Sequence, residues 1–286
     1  MSVDLSPLEG TCEIARHYSY QDPWHEAGNF HRMYDLEQVK ATLQRTGQPF
    51  MSFAGEPLLM PVADLEDVWR WGYEMFGHNA VQTDGVLITA EHIALFRKYR
   101  VHVGISIDGP RELNDVRWNR SLDKAGDSAA RVEANIERLV GEGSPPDLIT
   151  TLHTGNARAE CLPLMGAWFR RLYRLGIRMV RLHPLEADNP LVRRYALSDR
   201  ESIEAVLYFG KLQAELVHLH FDVVDELQKA VRGEEGAVAC VGRACDPYAM
   251  HGGHGAGTPA WKDACGSRDS QDLRHAGSLP NFVQPK

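Results

Sequence analysis

Residues 103–117 read VGISIDGPRELNDVR. Residues 101–107 (VHVGISI) are a β-branched, apolar run, and Asp108-Gly109-Pro110 ends it with turn chemistry, as expected where a strand stops. The same layout extends to both sides. Residues 79–83 (NAVQT) predict a short strand ending in Thr83-Asp84-Gly85, and residues 91–99 a helix between the two strands. Further upstream, residues 50–55 (FMSFAG) predict a strand, followed by Glu56-Pro57 and a helix over 65–76, where Leu65, Val68, Trp69 and Gly72 recur at helical spacing. Downstream, a helix over 128–140 is expected to start at an Asp127 cap and to share Val132, Ile136, Leu139 and Val140 on one face. Then follow a strand over 148–153, a helix over 162–175 closed by Gly176, a strand over 177–183, a long helix over 199–219 and a last helical run over 221–231. Strands that alternate with helices imply a parallel sheet with helical crossovers. Ligands in such folds sit on loops at the carboxyl ends of strands, which is where the unusual residues fall.

The chain has 286 residues, 43% of them hydrophobic and 24% charged, enough to bury a substantial core. Its formal net charge is -8 with no basic stripe, which argues against nucleic-acid binding. The first residues, MSVDLSPLEGTCE, lack a charged n-region and an apolar h-region, and no apolar run is long enough to span a bilayer. A cytoplasmic protein without membrane contact is expected. Five scattered cysteines fit metal or redox roles better than a disulfide scaffold.

Four segments, in order, resemble the radical S-adenosylmethionine (radical SAM) family, particularly its peptide-modifying branch with a C-terminal SPASM or twitch extension. Residues 11–21 (TCEIARHYSYQ) occupy the place of the family's cysteine loop, with Cys12 at the first cysteine and Arg16 and Ser19 at the other two. Residues 52–59 (SFAGEPLL) resemble the Gly-Gly-Glu-Pro strand end, with Ala54 for the first glycine. Residues 82–89 (QTDGVLIT) resemble the Thr-Asn-Gly turn, with Asp84 for asparagine, and residues 103–117 the Ser-x-Asp-Gly-Pro strand end. The resemblance implies an α/β fold: a partial (β/α)6 TIM-like barrel of parallel strands over 1–232, plus a short, irregular Cys/Gly-rich extension over 233–286. It also implies S-adenosylmethionine and a 4Fe–4S cluster as cofactors and a peptide substrate. By that comparison Gly55, Glu56 and Pro57 meet the amino group of S-adenosylmethionine, Ser106 and Asp108 line its ribose or carboxylate, and Arg117, with Arg120 as the alternative, pairs with the carboxylate.

The cysteine loop does not carry the donors the family's cluster needs. Iron–sulfur clusters favour soft thiolates, a serine alkoxide substitutes poorly, and arginine is permanently cationic with no lone pair to offer. Cys12 is a remnant of the motif. His17 and His25 lie nearby, but Cys12, His17 and His25 match no recognised metal spacing. Cys240, Cys245 and Cys265 resemble the start of a SPASM extension but are too few for a four-cysteine cluster; His251, His254 or Cys12 as a fourth ligand stays open beside three free thiols. His153 and His183 end two late strands and, with Glu186, are lesser candidates facing the barrel mouth. Cys161 at a helix start reads as buried and inert, and Trp69 and Trp71 as helix packing. Three functions follow: a peptide-modifying radical SAM protein by descent, impaired by its missing cysteines; a non-catalytic protein that binds peptide or S-adenosylmethionine, partner to an active homologue; and a metalloenzyme using the histidines.

Overall fold

Local rules set most element boundaries. Asp35 caps the first helix, α1 (Leu36–Thr46), by accepting from the N–H groups of Glu37 and Gln38. Gly47 closes it in the left-handed region at φ 61, donating to the Leu43 carbonyl, so a residue without a side chain is favoured there. The computed structural model describes residues 3–5, 34–53, 56–114, 122–185 and 190–233. Its strands are β1 (Val3–Leu5), β2 (Phe50–Ser52), β3 (Asn79–Thr83), β4 (Val101–Ser106), β5 (Asp147–Leu152), β6 (Met179–Pro184) and β7 (His220–Phe221). The further helices are α2 (Val62–Phe76), α3 (Ala90–Lys98), α4 (Leu122–Gly141), α5 (Leu162–Leu175), α6 (Pro190–Arg193), α7 (Asp199–Glu215) and α8 (Asp222–Val231).

The strands form one seven-stranded sheet in strict chain order, β1 to β7, and every pair is parallel. Parallel crossovers are right-handed, so a chain that always steps in the same direction puts all its helices on one face. The opposite face becomes the inner wall of a partial barrel. Six strand–helix units carry the expected rhythm, and the two-residue β7 with α8 adds an edge. Val81, Val103, Ile105, Leu148, Val180 and Leu182 point outward from the strands into the core beneath the helices. There Phe169, Phe209 and Phe221 pack ring on ring, with centroids 5.0–5.6 Å apart. Each such fully buried side chain contributes on the order of 2–3 kcal/mol. Trp69 is fully buried, and Trp71 stacks on Phe50 at 6.0 Å, so both tryptophans serve packing as expected.

Two helix ends differ from those the sequence predicts. Helix α4 begins at Leu122, so Asp127 is an exposed residue inside it rather than its cap; Leu122, Lys124 and Ala125 are good enough helix formers to extend the helix. Helix α7 stops at Glu215, because Leu219 and Phe221 are buried and the latter pairs with Val180 of β6. Helix α1 and strand β1 were passed over. The extension over 233–286 lies outside the described residues apart from Gly233. Among the described residues no helix is long and apolar enough to cross a membrane.

Candidate functional site

Because all strands run in parallel, the segments after β2, β3, β4, β5 and β6 gather at one end of the sheet. Two buried carboxylates tie these ends together in pairs. Glu56 is 1% exposed. Its Oε1 accepts from the Leu58 N–H at 3.0 Å and the Thr83 hydroxyl at 2.7 Å, and its Oε2 accepts from the Asp84 N–H at 2.9 Å. Glu56 thus caps the short 3-10 turn Pro57–Leu59, with Pro57 buried at its start, and locks that turn to the end of β3. The Thr83 hydroxyl in turn accepts from the Gly85 N–H, and Asp84 Oδ1 accepts from the Val86 N–H. The turn after β3 is therefore fixed by its own side chains. Gly85 takes φ 82, and the Asn135 amide donates to its carbonyl at 2.8 Å from α4.

Asp108 does for β4 and β5 what Glu56 does for β2 and β3. It is fully buried, and its Oδ1 accepts from the Thr151 N–H at 3.0 Å. Its own N–H donates to Asn114 Oδ1 at 3.1 Å. The Asn156 amide donates to the carbonyls of Asp108 and Thr151 at 2.7 and 2.8 Å, while its oxygen accepts from the His153 N–H at 2.8 Å. His153 is fully buried; its Nδ1 accepts from the Gly155 N–H at 3.0 Å, which leaves the proton on Nε2, 3.8 Å from Asp108 Oδ2. Buried charges are tolerated when hydrogen-bonded in this way. Both carboxylates act through the backbone geometry they impose, and His153 belongs to that network rather than to an open mouth.

The inner wall is polar where the outer face is apolar. By the two-residue alternation of a strand, Gln82, Gly104, Ser106, Ile149, Thr151, Arg181 and His183 face inward. The Gln82 amide donates to Ser106 Oγ at 2.9 Å, and Ser106 is half-buried. Arg181 pairs with Asp222 at 3.3 Å, each about one-third exposed; burial pushes the Asp222 carboxyl up. His183 is buried at the end of β6. Cys161 lies at the start of α5, half-buried rather than fully so, and burial pushes its thiol up, with Glu160 adding to the effect.

The structure thus brings Glu56, Pro57, Ser106, Asp108, His153 and His183 to one end. Cys12, Arg16, Ser19, His17, His25, Gly55, Arg117, Arg120, Glu186, Cys240, Cys245, Cys265, His251 and His254 lie outside the described residues. No group of three or more metal-binding side chains occurs among the described residues. Sequence reasoning passed over Gln82, Asn156 and Arg181. Alternation along NAVQT and IRMVRLH points Gln82 and Arg181 inward, but nothing local marks Asn156.

No family model matches the chain. In sequence it is 27% identical over 173 residues to the serine-type anaerobic sulfatase-maturating enzyme of Bacteroides thetaiotaomicron, a match over 54% of this chain and 40% of that enzyme. It is 33% identical over 94 residues to an uncharacterised protein of Methanothermobacter thermautotrophicus, covering 29% of this chain and 36% of that protein. In structure it superposes on native anSMEcpe with bound AdoMet and the Cp18Cys peptide at a TM-score of 0.64 and 18% identity, over 80% of this chain and 65% of that one. The chain has the fold of that enzyme. Streptococcus suis SuiB bound to its precursor peptide SuiA shares it at a TM-score of 0.53 and 11% identity, over 77% of this chain and 48% of SuiB. The chain spans less than half the length of the curated relatives it matches. The expected α/β fold with a parallel sheet is present, and the similarity is to a sulfatase-maturating enzyme in sequence and to anSMEcpe and SuiB in fold.

Proposed function

We propose that this chain is a radical SAM-family protein of the peptide-modifying kind that holds S-adenosylmethionine against its inner wall and is impaired in cluster-dependent chemistry. The observation that carries the reading is the wall itself: the Gln82–Ser106 pair is half-open and polar, and buried carboxylates rigidly frame it on both sides. The kinship to a sulfatase-maturating enzyme supports the peptide-modifying class.

Those residues fit S-adenosylmethionine. Ser106 is half-buried rather than sealed, and Gly104 beside it leaves room for the Gln82 side chain to lie along the wall. In this reading the backbone of Gly55, Glu56 and Pro57 meets the ligand's amino group, and the Glu56 carboxylate fixes that backbone from behind. Ser106 bonds the ribose or carboxylate, Asp108 shapes the strand end that presents Ser106, and Arg117 pairs with the carboxylate. Bound there, S-adenosylmethionine supplies a cleavable sulfonium. Residues 1–232 form the barrel, and 233–286 an extension carrying Cys240, Cys245 and Cys265.

The 4Fe–4S cluster fits the chain less well. Cys12 offers one thiolate, Ser19 a poor oxygen donor and Arg16 none, so the three-thiolate set is incomplete and no step is routed through a cluster. The same donor set favours a second reading, a non-catalytic protein that binds peptide or S-adenosylmethionine beside an active homologue. The neighbours solved with bound peptides support a peptide partner in either case. Anaerobic reconstitution with iron and sulfide, followed by reduction with S-adenosylmethionine, tests the proposal. Calorimetric binding of S-adenosylmethionine without stoichiometric cluster or 5′-deoxyadenosine is expected. A stable cluster with 5′-deoxyadenosine formed on reduction would overturn the impairment, and absence of binding would overturn the site.

A further inference from the structure

Gln82 and Ser106 stand on neighbouring strands, and Gly104 lies between them: in the ladder, Gln82 is the register partner of Gly104. The Gln82 side chain crosses directly over that glycine. A Cβ at position 104 would come within 2.1 Å of Gln82 Oε1 and 3.0 Å of its Cδ. The glycine is therefore what lets the glutamine lie flat along the wall and reach Ser106.

The amide has a defined sense. Its nitrogen is 2.9 Å from Ser106 Oγ, and its oxygen lies on the side of Gly104, 2.1 Å from where a Cβ would stand. Gln82 is thus the donor and Ser106 Oγ the acceptor. A hydroxyl has one proton and two lone pairs, so an occupied lone pair leaves the proton to be given elsewhere. The next inward residue along that row is Ile149, the register partner of Ser106, whose side chain accepts nothing. Among the described residues no other group takes the Ser106 proton.

We propose that Gln82, seated over Gly104, is a positioning residue that presets Ser106 as a hydrogen-bond donor, so that the ligand group at this point of the wall is an acceptor oxygen. The inference rests on the assignment of Ser106 to the ligand wall made above. It goes further by giving the polarity of the contact and the residue that sets it.

Calorimetry of the full chain with S-adenosylmethionine, across Ser106→Ala, Gln82→Glu, Gln82→Met and the double variant Ser106→Ala/Gln82→Glu, tests it. Glutamate keeps the glutamine's shape but only accepts, so it draws the Ser106 proton to itself. Gln82→Glu is expected to weaken binding about tenfold, as Ser106→Ala does, and the double variant to be no weaker than Ser106→Ala, because the two act on one interaction. Gln82→Met, which brings no charge, is expected to weaken binding about two- to threefold. Thermal midpoints of the variants check that each folds. If Ser106→Ala weakens binding but Gln82→Glu binds like wild type, or the losses simply multiply in the double variant, the positioning role is overturned and the proposed function stands. If wild type does not bind, or Ser106→Ala binds like wild type, the assignment of Ser106 fails and the positioning role fails with it.

Discussion

Replacing Glu56 by glutamine separates scaffold from ligand contact at the strand end. The substitution preserves shape and removes the charge. In wild type the carboxylate accepts from the Leu58 N–H and the Thr83 hydroxyl on one oxygen and from the Asp84 N–H on the other. With its oxygen at the Oε1 place, a glutamine keeps the first two as weaker neutral bonds and turns its NH2 toward the Asp84 N–H, donor against donor. Turned the other way, it keeps the Asp84 bond, reverses the Thr83 bond because a hydroxyl also accepts, and strands the Leu58 N–H instead. The cheaper orientation loses a charge-assisted bond and strands a buried N–H, for a total on the order of 3 kcal/mol. Urea unfolding followed by tryptophan fluorescence and far-ultraviolet circular dichroism reads this as a lower midpoint at unchanged slope. Thr83→Val removes one of these donors and also leaves the buried Gly85 N–H without its acceptor, and is expected to cost about 2 kcal/mol. A Glu56→Gln protein within about 0.5 kcal/mol of wild type would refute the clamp and return the carboxylate to direct ligand contact.

Three further outcomes follow from the same coordinates. Gly72→Ala places a methyl 2.0 Å from Asn79 Oδ1 and 2.8 Å from Phe50 Cε1, and Asn79 cannot retreat because its amide donates to the carbonyls of Trp69 and Tyr99. A loss of about 2–4 kcal/mol in denaturant unfolding is expected, and a neutral variant would show that the helix shifts freely. His102 Nε2 lies 2.7 Å from Asp147 Oδ2, and that hydrogen bond holds the imidazole above its ordinary value. The stabilisation is fully present below the unfolded value of about 6.5 and fades as pH rises through the raised one, so the thermal midpoint gap between wild type and Asp147→Asn narrows toward alkaline pH. A gap that stays constant with pH would contradict this. Cys161, its thiol pushed up by burial, is expected to alkylate more slowly in the folded chain than in urea, as read by peptide mass mapping; equal rates would contradict its half-buried placement.

The frame of this fold was legible because it is written locally. Helix α5 ends at Gly176 and strand β3 ends at Thr83, both where turn residues and periodicity put them. Leu65, Val68, Trp69 and Gly72 are the buried residues of α2, and their spacing alone marks them. Helix α1 was equally legible from Asp35 and Gly47 and was passed over. The site was legible only by position. Glu56 and Asp108 fall at strand ends, but their partners, Thr83, Asp84 and Thr151, are 27, 28 and 43 residues away. No periodicity encodes such a pairing. The role of Gly104 likewise depends on which side chain crosses it from the next strand. Cys12, Arg16 and Ser19 are the reverse case, clear in the sequence because ligand chemistry needs no neighbour to be judged.

The Asp222 carboxylate also has a consequence for how copies of the chain meet. Strand β7 is two residues long, and beyond it the Leu182 N–H of β6 would be an open rung. Asp222 Oδ1 occupies that rung at 2.8 Å and caps the Val223 N–H as well. At the other border, β1 offers three residues. An incoming strand from a second molecule would gain few main-chain bonds at β7, too little to offset the entropy of ordering it. The barrel's unfinished border is thereby made a poor template for stacking, and the expectation is a chain that stays dispersed at concentrations where an open parallel sheet of this size would assemble into fibres.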